Sequence, residues 1–243
     1  MQYFTFLGVG TLPEGYEEAL YSFEDNKEEI HASKYVQSAI IEKFQSAISE
    51  VFVFCTEKSY SLGARNIKNE IKTKFNIDIK FITINEFVKI EEILQKMDEV
   101  LKEDFIIDVT HSFRNIPISV MISNYLEVST KKQLKHLFYG NYNRETNEGL
   151  IIDLINQYEN SKIASSLMAF DQFLKISDTY LYNLNDNKIN NLMKGIYQFN
   201  HMLDYCEFDS CVHSISQIYN FCQSILKEKD KYILLTPYLK SIQ

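Results

Sequence analysis

Residues 104–117 read Asp-Phe-Ile-Ile-Asp-Val-Thr-His-Ser-Phe-Arg-Asn-Ile-Pro, and this stretch decides the fold class. The nearly continuous apolar run of Phe105, Ile106, Ile107 and Val109 is typical of a strand that is buried on both faces of a parallel sheet. Polar residues follow at once, and Pro117 suits the first turn of a helix, where a missing N–H costs least. The stretch therefore predicts a strand, a polar turn and a helix over residues 118–128.

The turn after this strand is rich in hydrogen-bond donors. Three neutral donors, a planar cation and a titratable ring occur within six residues: Thr110, Ser112, Asn115, Arg114 and His111. Ligands of open α/β sheets bind beyond the carboxyl ends of the strands, and helix N-termini attract anions. The turn therefore indicates an anion site. The alternative is structural: Thr110 and Ser112 would only cap a helix, and Arg114 would pair with a surface acid or brace the turn against Asp108.

Strand and helix patterns alternate through the first 150 residues. Strand patterns cover residues 3–7, 51–55, 77–84, 134–139 and 149–154, and helical spacing covers residues 33–48, 65–75 and 87–101. We expect the last strand to run antiparallel to its neighbour across the turn at residues 143–148. Residues 14–29 are acidic and rich in tyrosine, and fit either an insertion or the outer strand of a hairpin. The alternation predicts an α/β, Rossmann-like domain with a mostly parallel, doubly wound sheet over residues 1–157.

The remainder of the chain has a different pattern. Helical spacing recurs at residues 163–174, 189–206 and 211–226, with a polar connector at residues 183–190. We therefore expect an all-helical region over residues 158–243. Another apolar pattern begins at residues 232–237, which suggests either a fragment of a longer protein or a helical element that needs a partner.

Composition narrows the classes of function. The net charge of −8 argues against a surface that binds duplex DNA, although a local pocket of N–H groups can still bind an anion. The four cysteines do not match the common zinc spacings, so we expect buried thiols in a reducing cytosol and no metal site: Cys55, Cys206, Cys211 and Cys222. Met1 leads directly into a strand pattern, and no apolar run approaches the ~18 residues that span a bilayer. These features predict a cytoplasmic protein without a membrane segment.

A second candidate loop follows the first strand. Residues 8–11 read Gly-Val-Gly-Thr, and glycines at this position let the backbone approach a ligand closely. The dinucleotide fingerprint is incomplete, because Pro13 interrupts it and Gly15 comes too late. The loop is therefore either part of a ligand site or a tight turn at the end of a strand.

Four stretches together resemble the signature of CARF domains, the Rossmann-like sensors of type III CRISPR systems. They are residues 7–11, 106–117, 139–140 and 169–174, in the same order as in that family. The most specific is Asp-x-Thr-His-x-Phe-Arg at residues 108–114. The family usually has Gly where this chain has Ser112, a departure that adds a donor and leaves the size of the bound ring open.

The resemblance implies a homodimer that binds one ring of cyclic oligoadenylate, either cyclic tetra-adenylate or cyclic hexa-adenylate, on its two-fold axis. It implies a pocket lined by Gly8, Val9, Gly10, Thr11, Thr110, His111, Ser112, Phe113, Arg114 and Asn115. Thr56 and Lys58, which follow the strand at 51–55, and Tyr139 and Gly140 complete the candidate ligand-binding set. No cofactor is expected besides the ring.

The resemblance also implies an effector domain that the sensor would control. Members usually carry a C-terminal effector, often a HEPN ribonuclease with an Arg followed four to six residues later by a His. None of Arg65, Arg114 and Arg144 has a His at that spacing, so we expect any effector to lie beyond residue 243. The helical region would then be a linker, a dimerisation segment or the start of that effector, relaying the ligand signal.

Two alternatives to a pure sensor stay open. A ring nuclease would cleave its ligand without a metal, through attack of a ribose 2′-OH on the adjacent phosphate. The candidate catalytic residues for that reaction are Thr11, Thr110, His111 and Ser112, with Lys58 as a further group. A dinucleotide-binding enzyme is the second alternative. It is disfavoured by the incomplete glycine fingerprint and by the lack of a convincing acidic ribose partner after the second buried strand.

Overall fold

The computed structural model describes residues 1–9, 16–86, 90–111, 126–127, 130–174, 186–205, 208–228, 232 and 235–242. Contacts within the chain divide it into two compact units, Met1–Ile155 and Asn156–Gln243. This division lies two residues before the boundary expected at residue 157.

One mixed sheet forms the first unit. Over the described residues it has eight strands: β1 (Gln2–Leu7), β2 (Ala19–Phe23), β3 (Asn26–Ser33), β4 (Glu50–Cys55), β5 (Ile79–Thr83), β6 (Phe105–Asp108), β7 (Leu134–Asn143) and β8 (Glu148–Asp153). Their order is β3-β2-β8-β7-β6-β1-β4-β5. Five of the seven strand pairs are parallel, and only β2–β3 and β7–β8 are antiparallel. The predicted mostly parallel α/β sheet is confirmed, as is the antiparallel last strand.

Burial explains why the central strands form where they do. Every residue of β1 and β6 is buried, as expected for apolar strands that are covered on both faces. Phe4 of β1 stacks on Phe52 of β4 with ring centroids 5.1 Å apart and meets Phe105 of β6 edge-on at 6.4 Å. These cross-strand aromatic contacts fix the three strands side by side.

Two helices of this unit differ from their predicted bounds. The helix expected at residues 33–48 is α1 (Val36–Phe44), because Ser33 still belongs to β3. The helix expected from Arg65 is α2 (Glu57–Phe75) and begins eight residues earlier. A reciprocal cap causes the early start: Thr56 Oγ1 accepts from Ser59 N at 3.2 Å, and Ser59 Oγ accepts from Thr56 N at 2.9 Å. The third helix is α3 (Ile90–Val100). The helix expected at residues 118–128 lies outside the described residues except for 126–127.

The acidic segment at residues 14–29 contributes to an edge hairpin, β2–β3, with β3 outermost. Strand β2 runs parallel to β8 and therefore opposite to β1. Because of this direction, β2 begins at the same edge of the sheet at which β1 ends. Strand β7 also continues past its predicted end at residue 139, to Asn143, and projects beyond the end of β6.

The described elements of the second region are helices: α4 (Ile155–Phe173), α5 (Asn187–Asp204), α6 (Phe208–Leu226) and α7 (Thr236–Ile242). The polar connector predicted at residues 183–190 ends earlier, because Asp186 caps α5 by accepting from the backbone N–H of Lys188 at 3.0 Å. Leu167, Leu192 and Ile225 are fully buried in an apolar core of this unit.

None of the helices within the described ranges is long and apolar enough to cross a membrane.

Candidate functional site

The topology creates a crevice at the carboxyl ends of β1 and β6. From β1 the sheet extends through β4 and β5 on one side, and the chain then returns to place β6 on the other side of β1. Such a reversal of strand order opens a cleft in which open α/β sheets bind ligands. Gly8 and Val9 follow β1 at this point, and Thr110 and His111 follow β6.

Gly8 and His111, two residues predicted to line the pocket, are neighbours in this crevice. A Cβ atom built on Gly8 would lie 3.5 Å from His111 Cβ and 3.6 Å from His111 Nδ1. Val9 beside them is 44% exposed. The missing side chain at residue 8 therefore lets the residues that follow β1 and β6 approach each other closely.

Two tyrosines complete the crevice, and sequence reasoning missed both. The Tyr16 ring lies 5.2 Å from the Tyr35 ring and 5.3 Å from the His111 ring, between centroids. Tyr16 precedes β2, and Tyr35 precedes α1. The position of Tyr16 follows from the direction of β2. Because β2 runs opposite to β1, the residues that precede β2 lie near the end of β1.

Asp108 anchors the loop after β6 from beneath. Its carboxylate is fully buried and accepts from Thr5 Oγ1 at 2.7 Å and from Thr110 N at 2.9 Å, with Tyr3 Oη at 3.4 Å. Thr5 Oγ1 in turn accepts from Gln37 Nε2 of α1 at 3.2 Å. These bonds join β1, β6 and α1 under the crevice, so Asp108 positions the loop that carries His111.

Thr110 takes part in the same network. Its hydroxyl donates to Asp108 Oδ1 and accepts from the backbone N–H of Gly140 at 2.7 Å. A Cβ on Gly140 would lie 3.0 Å from Thr110 Oγ1, so only glycine fits there without displacing that side chain. The structure thus joins two predicted residues, Thr110 and Gly140, but the hydroxyl hydrogen of Thr110 serves Asp108 and not a ligand.

Three further residues predicted to bind the ligand are described by the structure: Thr56, Lys58 and Tyr139. Thr56 lies at the end of β4, next to β1, but its hydroxyl and N–H are used in the cap of α2. Lys58 is exposed in the first turn of that helix. Tyr139 lies on the opposite face of β7 from Gly140, because side chains alternate along a strand. Gly10, Thr11, Ser112, Phe113, Arg114 and Asn115 lie outside the described residues.

The N-terminus of α1 reaches the same edge. The Cγ2 atom of Val36, its first residue, would be 3.1 Å from a Cβ on Gly140. Tyr35 occupies the N-cap position without a side-chain cap. Within the described part of the chain, nothing accepts a hydrogen bond from the backbone N–H of Val9 or of His111. A helix terminus and backbone N–H groups of this kind are suited to anionic oxygens.

Burial sets the protonation of the two titratable rings. Burial lowers the pKa of His111 below 6.5, against the opposing influence of the Asp108 carboxylate. Burial also raises the pKa of Tyr16 well above 10. At neutral pH the crevice therefore presents an uncharged imidazole and a protonated phenol, both able to form hydrogen bonds.

The described residues contain no cluster of three or more His, Cys, Asp or Glu side chains that could hold a metal ion. The predicted absence of a metal site stays a prediction.

No model of a known protein family matches the chain. A search of curated proteins also gives no match.

Proposed function

We propose that this chain is a cytoplasmic sensor of cyclic oligoadenylate in a type III CRISPR antiviral system. In this proposal a homodimer binds one ring, cyclic tetra-adenylate or cyclic hexa-adenylate, and ring binding controls an effector allosterically. The observation that carries the proposal is the juxtaposition of Gly8 and His111 at the switch point of the sheet. Gly8 and His111 belong to the two CARF-like sequences, at residues 7–11 and 106–117.

The chemistry of the crevice supports an anionic ring. The uncharged side chains of Tyr16 and His111 lie beside Gly8, and the start of α1 lies beside Gly140 at the same edge of the sheet. A two-fold axis would supply this set twice, which suits a ring with one phosphate per nucleotide. Because the net charge of the chain is −8, recognition would come from these local groups and from Arg114 and not from the overall charge.

Ring cleavage is a second candidate function, and the neutral state of His111 favours it. An uncharged imidazole can accept the proton of a ribose 2′-OH while that oxygen attacks the adjacent phosphorus. The P–O5′ bond then breaks, water protonates the leaving 5′-oxygen, and the products are a 2′,3′-cyclic phosphate and a 5′-hydroxyl. Thr110, also expected in this role, is better described as a positioning residue, since its hydroxyl is bonded to Asp108.

One incubation separates these functions. The purified protein is mixed with labelled cyclic tetra-adenylate, cyclic hexa-adenylate or NAD, and the products are resolved by chromatography. A sensor retains a ring intact, whereas a ring nuclease releases linear products. Binding of NAD and of neither ring would favour a dinucleotide-binding enzyme and contradict the proposal.

Variants then test the site. We expect His111→Ala and Arg114→Ala to weaken ring binding while circular dichroism and thermal unfolding stay close to those of the wild type. Loss of the folded state in both variants would mean that the two residues are structural.

A further inference from the structure

Tyr16 lies directly over the backbone of Gly8. A Cβ atom on Gly8 would be 3.1 Å from the Tyr16 hydroxyl, closer than it would be to any atom of His111. The absence of a side chain at residue 8 therefore leaves the space that the hydroxyl enters. The phenol lies at the point where the loops after β1 and β6 converge.

The ring of Tyr16 is held in place from two sides. Tyr35, which is buried, and His111 contact it with interplanar angles of 58° and 51°. Tilted aromatic contacts of this kind favour a defined orientation. A hydroxyl on a fixed ring loses little conformational entropy when it forms a hydrogen bond to a ligand.

Among the described residues, no group donates to the Tyr16 hydroxyl or accepts from it at hydrogen-bond distance, although the ring is half-buried. The neighbouring hydroxyl of Thr110 is bonded on both sides, to Asp108 and to Gly140. Within the described part of the crevice, the Tyr16 hydroxyl is therefore a side-chain donor that no other group uses.

We propose that Tyr16 is a ligand-binding residue of this site and that its hydroxyl donates a hydrogen bond to a phosphate oxygen of the ring. The assignment rests on the proposed function and adds a residue that lies outside both CARF-like loops. A neutral phenol suits a phosphate here, because it supplies a donor to the charged oxygen without adding negative charge to the crevice.

The test compares the full-length wild-type chain with Tyr16→Phe, which removes one oxygen and keeps the ring. Tyr219→Phe is the matched control, since that hydroxyl lies in the helical unit and only accepts from Gln223 Nε2 at 3.2 Å. Affinity for cyclic tetra-adenylate and for cyclic hexa-adenylate is measured by calorimetry. Thermal unfolding of the ring-free proteins is followed in parallel.

The expected result is ring affinity that is about tenfold weaker in Tyr16→Phe and unchanged in Tyr219→Phe, as for loss of a hydrogen bond to a charged acceptor. The unfolding temperature of ring-free Tyr16→Phe should match that of the wild type, because the hydroxyl bonds to no group among the described residues. Equal ring affinity in Tyr16→Phe and wild type would overturn this assignment and leave the proposed function standing. A lower unfolding temperature in Tyr16→Phe would overturn it as well, since the hydroxyl would then be structural. Failure of the wild type to bind either ring would overturn the proposed function, and this assignment with it.

Discussion

Replacing Asp108 by Asn tests whether its buried carboxylate holds the loop after β6. The substitution keeps the shape of the side chain and exchanges one acceptor oxygen for an N–H donor. The remaining oxygen should face Thr110, since the backbone N–H there, 2.9 Å from Asp108 Oδ1, cannot turn away. The new amide N–H group then faces the hydroxyl of Thr5, which already accepts from Gln37 Nε2.

This geometry sets the expected loss in the free energy of unfolding. At least one hydrogen bond to a charged acceptor is lost, which costs about 1.5–3 kcal/mol of stability. The variant no longer buries a charge, and this gain offsets part of that cost. We expect Asp108→Asn to lower the free energy of unfolding by about 2 kcal/mol, which is roughly a 30-fold change in the folding equilibrium. Ring affinity should also fall, because Thr110 and His111 lose their support.

The assay is urea unfolding followed by circular dichroism, with Asp104→Asn as the control. Asp104 immediately precedes the same strand, is 40% exposed, accepts from Gln133 N at 3.0 Å and pairs with Lys135 at 3.2 Å. An amide oxygen can keep the first contact, and an exposed ion pair contributes at most about 1 kcal/mol. Equal unfolding midpoints for the two variants would refute the role assigned to Asp108.

Two further predictions concern the same crevice. Gly140→Ala should destabilise the protein by about 1–3 kcal/mol in urea unfolding, since its methyl group would lie 3.0 Å from two atoms of Thr110. Gly195→Ala in α5 should instead be neutral or stabilising, because its nearest contact would be 3.6 Å and alanine favours a helix; equal losses in both would contradict the packing argument. Tyr16→Ala should raise the pKa of His111 toward 6.5 in an NMR titration, because it exposes the ring whose burial lowers that pKa. The wild type should accordingly lose stability as the pH falls below 6.5, through protonation of the unfolded chain; an unchanged His111 pKa in the variant would show that Tyr16 does not cover the ring.

The core of the fold could be predicted from the sequence because its strands are almost continuously apolar. The runs at residues 51–55 and 105–109 permit no exposed face, and the structure buries almost all of both. The antiparallel β8 was predictable because a turn-rich segment separates it from β7. These features are local, and each is visible within about ten residues.

The sequence did not predict the position of an element or residue where that position depends on a contact made far along the chain or by the backbone. The start of α2 depends on a cap between Thr56 and Ser59, which outweighs the polar composition of the first two turns. Strand β7 continues through Gly140 to Asn143 because it pairs with β8 there, and the N–H of Gly140 bonds to Thr110, thirty residues earlier in the chain. Tyr16 could not be assigned to the site, since only the direction of β2 within the sheet brings it to Gly8.

The central claim is that two copies of the crevice bind one cyclic oligoadenylate. Isothermal titration of the purified chain with cyclic tetra-adenylate, and separately with cyclic hexa-adenylate, tests it most directly, with the mass of the complex measured in the same samples by light scattering. We expect saturable binding of at least one ring, with one ring bound per two chains. A folded protein that binds neither ring, or that binds one as a monomer with one ring per chain, would contradict it.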